Sequence, residues 1–293
     1  MQLSEPNYGQ AEGLRLQNNA NAVKVIAVTG GKGGVGKTTI AANLAVGLAQ
    51  RGRRVMLMDA DLGMANLDVM LGLQPRHNLA QVFAGQCSLE DVILEGPAGI
   101  SFIPAASGEL ELARIGEQQV AGLIAAFDVL PRAPEVLILD TAAGLSTSVV
   151  RFAQAAQEVL VVLCDEPASM TDAYALIKVL NRQHGIKRFR VVTNLGRRAG
   201  HGADLFEKFS RVATRFLDVA LDHAGSIPFD EYLLRSVQQQ SPVLQTFPGA
   251  WSSLALKKLA ERADKWAVQV TDRGSLEFFL NRSFSLCEEG VGQ

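Results

Sequence analysis

Hydrophobic positions along this chain follow two rhythms. Short, mostly apolar runs recur at "KVIAVTG" (24–30), "RRVMLMD" (53–59), "VLILD" (136–140), "EVLVVLC" (158–164) and "RFRVVTN" (188–194), with "LDHAGSIP" (221–228) as a further candidate. Continuous apolar runs of this length predict strands buried on both faces. Between them the spacing changes to three and four. In "KTTIAANLAVGLAQRG" (37–52), Ile40, Leu44 and Leu48 share a helical face and Gly52 is the stop. "TDAYALIKVLNRQHG" (171–185), "ADLFEKFSRVATRFL" (203–217) and "LALKKLAERADKW" (254–266) also read as helices. Strands alternating with helices predict an α/β fold, a single domain whose mostly parallel central sheet has helices on both faces. Residues 1–22 are polar and read as a flexible arm with one short helix. Residues 23–270 form the domain, and 271–293 a helical tail containing "GSLEFFLNRSF" (274–284).

Composition narrows this little. The 293 residues are 48% hydrophobic and 20% charged, ordinary values for a globule, and enough chain for a large core. A net charge of −2 argues against a surface that is basic throughout. "MQLSEPNYGQ" has no basic and apolar pattern of a secretory leader, and no apolar run approaches the roughly 20 residues of a membrane-spanning helix. Cys87, Cys164 and Cys287 are widely spaced and read as free thiols in a cytoplasmic protein.

The first strand runs into "GKGGVGKT", Gly31 to Thr38, which fits the phosphate-cradling pattern G-x-x-x-x-G-K-[ST]. Its glycines let backbone N–H groups approach phosphate oxygens, and the helix N-terminus adds partial positive charge. The expected nucleotide contacts are Gly31, Lys32, Gly33, Gly34, Val35, Gly36, Lys37, Thr38 and Thr39. Lys37 is placed to reach the β- and γ-phosphates and Thr38 to ligate Mg²⁺. Asp59 and Asp61 follow the second strand and Asp140 ends the third. Ligands of open α/β sheets bind at such strand ends. Thr38, Asp59 and Asp140 are therefore candidate Mg²⁺ groups, although each aspartate also suits a helix cap. No N-K-x-D occurs, so the base is expected to be adenine rather than guanine. Asn194 at a strand end, with Pro228 and Asp230 in "IPFDE" as a second wall, is its candidate reader. An asparagine there is equally a turn residue. Lys32 has no assigned task in the phosphate pattern.

The double-lysine loop, "DADLGMANLD" and "LDTAAG" together resemble the MinD/ParA family of P-loop ATPases over about residues 23–270. The resemblance implies slow, partner-regulated ATP hydrolysis with Mg²⁺. It also implies an ATP-joined homodimer in which Lys32 crosses to the partner's phosphates, and Asp61 as the group that orients water. Lys32, Lys37 and Asp61 are its implied catalytic set. Within the family, "RRVMLMDADLGMANLDVMLG", "IPAASG", "CDEPASMTDAYALIKVLNRQHG" and "GSLEFF" are similar to the FlhG/FleN group of flagellar-number regulators. "GQAEGLRL" (9–16) resembles that group's D-Q-A-x-x-L-R arm, with Gly9 at the aspartate position. Gln10, Leu14 and Arg15 are then implied contacts to an FlhF-type GTPase, and a FleQ-type transcription activator is a second implied partner. Asp165 and Glu166 follow a strand on the nucleotide side, either coupling nucleotide state to partners or serving as plain connection.

Two relatives frame the alternatives. A partition ATPase binds nucleoid DNA through a basic patch; Arg197, Arg198, Arg211 and Arg215 read better as a solvated face, so direct DNA binding is not expected. A division-site MinD binds membrane through its tail. Here Leu276, Phe279, Leu280 and Phe284 share a helical face, for weak lipid contact or for docking on the domain, while Glu277, Glu288 and Glu289 are poorly suited to anionic lipid. Recruitment to the cell pole or inner membrane face follows from the first use. Iron–sulfur carriers of the superfamily need cysteines that "DTAAGLSTS" lacks.

Overall fold

The computed structural model describes residues 23–105, 116–267 and 278–279. In chain order these form β1 (Lys24–Gly30), α1 (Lys37–Ala49), β2 (Val55–Ala60), α2 (Leu67–Leu71), α3 (Leu79–Phe83), β3 (Leu94–Glu95) and β4 (Ser101–Ile103). Next come α4 (Glu117–Ala126), β5 (Val136–Ala143), α5 (Thr147–Ala155), β6 (Glu158–Cys164), α6 (Pro167–His184) and β7 (Arg188–Gly196). The chain continues through α7 (His201–Phe216), β8 (Ala220–Pro228), α8 (Glu231–Gln238), α9 (Val243–Thr246) and α10 (Trp251–Asp264).

The strands form one sheet in the order β3-β4-β2-β5-β1-β6-β7-β8, parallel except for the β3–β4 pair. β1 lies inside it, between β5 and β6. Alternation along β1 divides the core: Ile26 and Val28 face α1, α9 and α10, while Val25 and Ala27 face α4 and α5. A third cluster packs α6 and α7 against β6 and β7 through Leu176, Leu205, Phe209 and Phe189. All six strands expected from the apolar runs are present, within two residues at most ends except β5, which runs on to Ala143.

Two of the chain's later residues bear on the alternatives for the tail. Phe278 and Phe279 occupy a turn and are buried beneath α4 and α5. Both rings meet Phe127 edge-on, at centroid distances of 5.0 and 5.6 Å, and Phe278 stacks on Phe152 at 6.5 Å. Phe279 is thus a core residue here, which is the docking alternative for this position. Leu276, Leu280 and Phe284 lie outside the described residues, as does the arm with Gln10, Leu14 and Arg15. Phe278→Ala is expected to cost about 3–5 kcal/mol of folding stability, the range for deleting a buried ring, read from a shifted urea midpoint.

Candidate functional site

The loop after β1 is shaped by close packing on one side and open space on the other. A Cβ at Gly31 would run into the backbone of Asp172 in α6, so only glycine lets helix and loop meet there. Gly33 and Gly34 would meet nothing, and these two positions border the open cradle. Gly34 and Gly36 have φ of 78° and 92°, left-handed values that favour glycine. Gly36 is the N-cap of α1 and supplies no capping side chain, and the first turn contains no acid. The first intrahelical bond runs from Ile40 N–H to Gly36 C=O at 3.0 Å. The N–H groups of Lys37, Thr38 and Thr39 therefore point outward from a positive helix end, ready for an anion. Lys37 is buried beneath the loop.

Val35 is the loop's anchor. Its carbonyl accepts the Asn194 side-chain N–H at 2.9 Å and the Cys164 thiol at 3.4 Å. The Asn194 carboxamide oxygen accepts the Leu195 N–H at 2.9 Å. One N–H and one oxygen lone pair of this buried amide are engaged within the protein, so Asn194 holds the phosphate loop and keeps a second N–H and a second lone pair. Asp230 is also engaged within the protein. One oxygen accepts Tyr232 N–H at 2.9 Å, and the other accepts Ser252 N–H and hydroxyl at 2.9 and 2.8 Å. It caps α8 and ties it to α10. Pro228 ends β8, half-buried opposite Gly196, and beside it the Arg197 guanidinium lies 5.8 Å from the Phe229 ring centre.

Three carboxylates lie at the ends of β2 and β5. Asp59 and Asp140 are adjacent in register and both are buried. Asp59 accepts N–H groups of Asp61 at 3.0 Å and of Asn66 and Leu67 at 3.2 Å each. It organises the turn into α2, with Oδ2 taken by two backbone N–H groups and Oδ1 by one. Burial, then the Asp140 charge, push its carboxyl well above the usual range, against those donors. Asp140 differs. The Thr38 hydroxyl lies near enough to favour its charged form, and its Oδ1 is buried with no partner. An orphaned buried carboxylate oxygen next to a threonine hydroxyl fits a Mg²⁺ ion, which takes few protein ligands and otherwise water and phosphate. No cluster of three His, Cys, Asp or Glu side chains suited to a metal exists among the described residues. Asp61 stands past β2, half-exposed, accepting Met64 N–H at 3.1 Å.

Burial pushes Asp140 up to about 7, opposed by Thr38 and by the Lys37 charge. Unfolded, it would ionise near 3.8. Its contribution to stability is therefore complete below that value and lost as pH rises through about 7, a swing on the order of 4 kcal/mol. In Mg²⁺-free calorimetry, Asp140→Asn is expected to flatten this fall and to melt above wild type at about pH 8.

Lys32 sits at the rim, in an ion pair with Glu166 of its own chain at the start of α6. Both side chains are partly exposed, and the Glu166 hydrogen bond raises the Lys32 pKa. The neighbouring Asp165 pairs with His201 Nε2 at 2.7 Å. This joins the loop's rim to the start of α7, a link across 36 residues that no local pattern signals. The structure thus places Lys32, Lys37 and Thr38 on one loop with Asp140 and Asp61 nearby, while Asn194, Asp59 and Asp230 each also bond within the frame.

Residues 26–243 match the model of the CobQ/CobB/MinD/ParA nucleotide-binding domain. The chain belongs to this family. Antiactivator FleN of Pseudomonas aeruginosa is 52% identical over 269 residues, 92% of this chain and 96% of that protein. The flagellum site-determining protein YlxH of Helicobacter pylori is 30% identical over 89% and 90% of the two chains. Among solved structures, Pyrococcus horikoshii MinD complexed with Mg-ADP superposes with a TM-score of 0.68 at 28% identity, covering 83% of this chain and 97% of that one. This MinD/ParA-family member is an ATPase that uses ATP and Mg²⁺. None of its described helices is long and apolar enough to cross a membrane.

Proposed function

We propose that this ATPase is a dimerising switch that regulates flagellar number and placement through protein partners. The observation carrying this is the position of Lys32. It is outside the N–H cradle and is held by Glu166, so it is available to a second subunit once that pair opens. Lys37, Thr38 and the first-turn N–H groups bind the phosphates, and Thr38 and Asp140 hold Mg²⁺. Mg²⁺ held there would supply neutralisation of developing phosphate charge. Asp61 orients the attacking water. Arg197 and Phe229, beside Pro228, offer the base a face to stack on. Similarity to FleN and to YlxH over about nine-tenths of the chain supports the flagellar assignment.

The partners proposed are an FlhF-type GTPase, met by Gln10, Leu14 and Arg15, and a FleQ-type activator. An induced helix would place Gln10 and Leu14 four apart with Arg15 beside them. Leu14 would anchor in an apolar groove, and Gln10 or Arg15 would orient water or stabilise phosphate charge. Gly9 and Gly13 oppose that helix by roughly 1 kcal/mol each relative to alanine. A peptide of residues 1–22 is expected to stimulate an FlhF-type GTPase, and Gln10→Ala or Arg15→Ala to reduce the effect. Absence of stimulation by both peptide and full-length protein would exclude the arm from this role. Lipid contact at the pole would require Phe279 to leave its present cluster, and tail-dependent flotation on vesicles only with ATP is the matching expectation.

A further inference from the structure

The N-terminal half of α10 presents an apolar ridge that the ATPase chemistry does not use. Trp251 is 77% exposed and Leu254 43%, while Leu256, Leu259 and Ala260 of the same helix are buried against α1 and β8. A hollow lies on each side of Trp251. One, of about 410 Å³, is lined by Tyr232, Phe247, Pro248 and Gly249. The other, of about 290 Å³, opens between Pro228 and Ser226 on one side and Leu254, Lys258 and Arg262 on the other. Tyr232 leaves 48% of its surface exposed and rests on Phe247 at 5.0 Å. Neighbouring apolar residues that flank concavities, with a protruding tryptophan between them, have the form of a binding hot spot rather than of scattered surface.

Three cations stand beside the ridge. Lys257, Lys258 and Arg262 are exposed on the same helix. Lys257 donates to the Pro248 carbonyl at 2.9 Å and Arg262 to the Ala224 carbonyl at 2.9 Å; none of the three has a carboxylate partner among the described residues. The acid between them, Glu261, is paired with Lys265 at 2.9 Å. A positive rim on a chain of net charge −2 is complementary to an acidic partner.

We propose that the α10 ridge docks an acidic amphipathic segment of a partner protein, seating two apolar side chains in the hollows beside Trp251 and its carboxylates on Lys257, Lys258 and Arg262. Hollows of this size on either side of a ridge suit side chains spaced three or four apart on a helix. A lipid surface would need the apolar residues to project together, and here they enclose recesses. The ridge is separate from the phosphate loop, so the inference stands independently of the flagellar reading.

The test pans a phage library of random 16-residue peptides on the full-length protein, and on a Trp251→Ala, Lys258→Glu variant whose ATP turnover is expected to match wild type. Peptides retained by wild type and lost on the variant are expected to carry net negative charge and paired apolar residues, with affinity lowered at least tenfold by either substitution alone. Emission of Trp251, followed in a Trp266→Phe background that melts normally, is expected to shift to the blue with such a peptide. It should stay unchanged with phosphatidylglycerol vesicles or oligo-dT. Selected peptides without negative charge, equal retention by the variant, no retained peptide, or a response to vesicles or oligo-dT instead would each overturn the proposal.

Discussion

Lys32→Ala binds ATP close to the wild-type level, fails to dimerise with it, and loses hydrolysis. The expectation follows from where the side chain lies. The phosphate cradle is built by the open N–H groups of α1 and by buried Lys37, and Lys32 contributes to neither. Its only ion pair among the described residues is to Glu166. Removing it leaves the cradle whole and deletes the cation proposed to reach a facing subunit. Lys37→Ala has the opposite signature, weakening nucleotide binding itself, since that lysine lies under the loop the phosphates occupy. Glu166→Gln supplies the reciprocal case: with Lys32 freed in both subunits, dimerisation should move to several-fold lower protein concentration. Light scattering with nucleotide titration separates the outcomes, and a full ATP-dependent dimer of Lys32→Ala would end the reading of Lys32 as an intersubunit finger.

Asp61→Ala is expected to bind ATP normally, to remain dimeric for longer, and to slow hydrolysis by on the order of 10²–10⁴, the usual loss on removing a group that positions a reacting proton or water. The residue is half-exposed just past β2, and the one hydrogen bond described for its side chain is from the Met64 N–H of its own turn. Alanine there leaves Asp59 to hold the α2 turn, so the ground state survives. Single-turnover hydrolysis at saturating Mg²⁺-ATP measures the effect directly, and an unchanged rate would remove Asp61 from the chemistry.

Much of the frame was legible in the chain itself, for a physical reason. Central parallel strands are buried on both faces and so must be apolar throughout, and β1, β6 and β7 announce themselves at their true starts. The phosphate loop was legible because its glycines are required by geometry: left-handed φ at Gly34 and Gly36, and helix contact at Gly31. The short elements α2, α3, β3 and β4 carry too few residues to show a period. The frame bonds of the candidate site residues were not legible, for one cause. Whether an Asn or Asp side chain faces ligand or backbone is decided by its partners, and these can be far away: Val35 is 159 residues from Asn194, and Ser252 is 22 from Asp230. Asp140 was recognisable because its strand ends beside the loop, yet its orphaned oxygen, the feature that favours a metal, is visible only in three dimensions.

The aromatic cluster under α4 and α5 also bears on how the protein is made. Phe127 and Phe152 acquire their last ring neighbours from positions more than 120 residues later in the chain. A ribosome delivers residues in order, at roughly 5–20 per second, so these two rings wait many seconds, with the sheet already able to pair, before residues 278 and 279 emerge. During that interval the nascent protein carries an unsealed apolar recess. It is then exposed to chaperones and to wrong pairing, and any translational pause before codon 278 prolongs the risk.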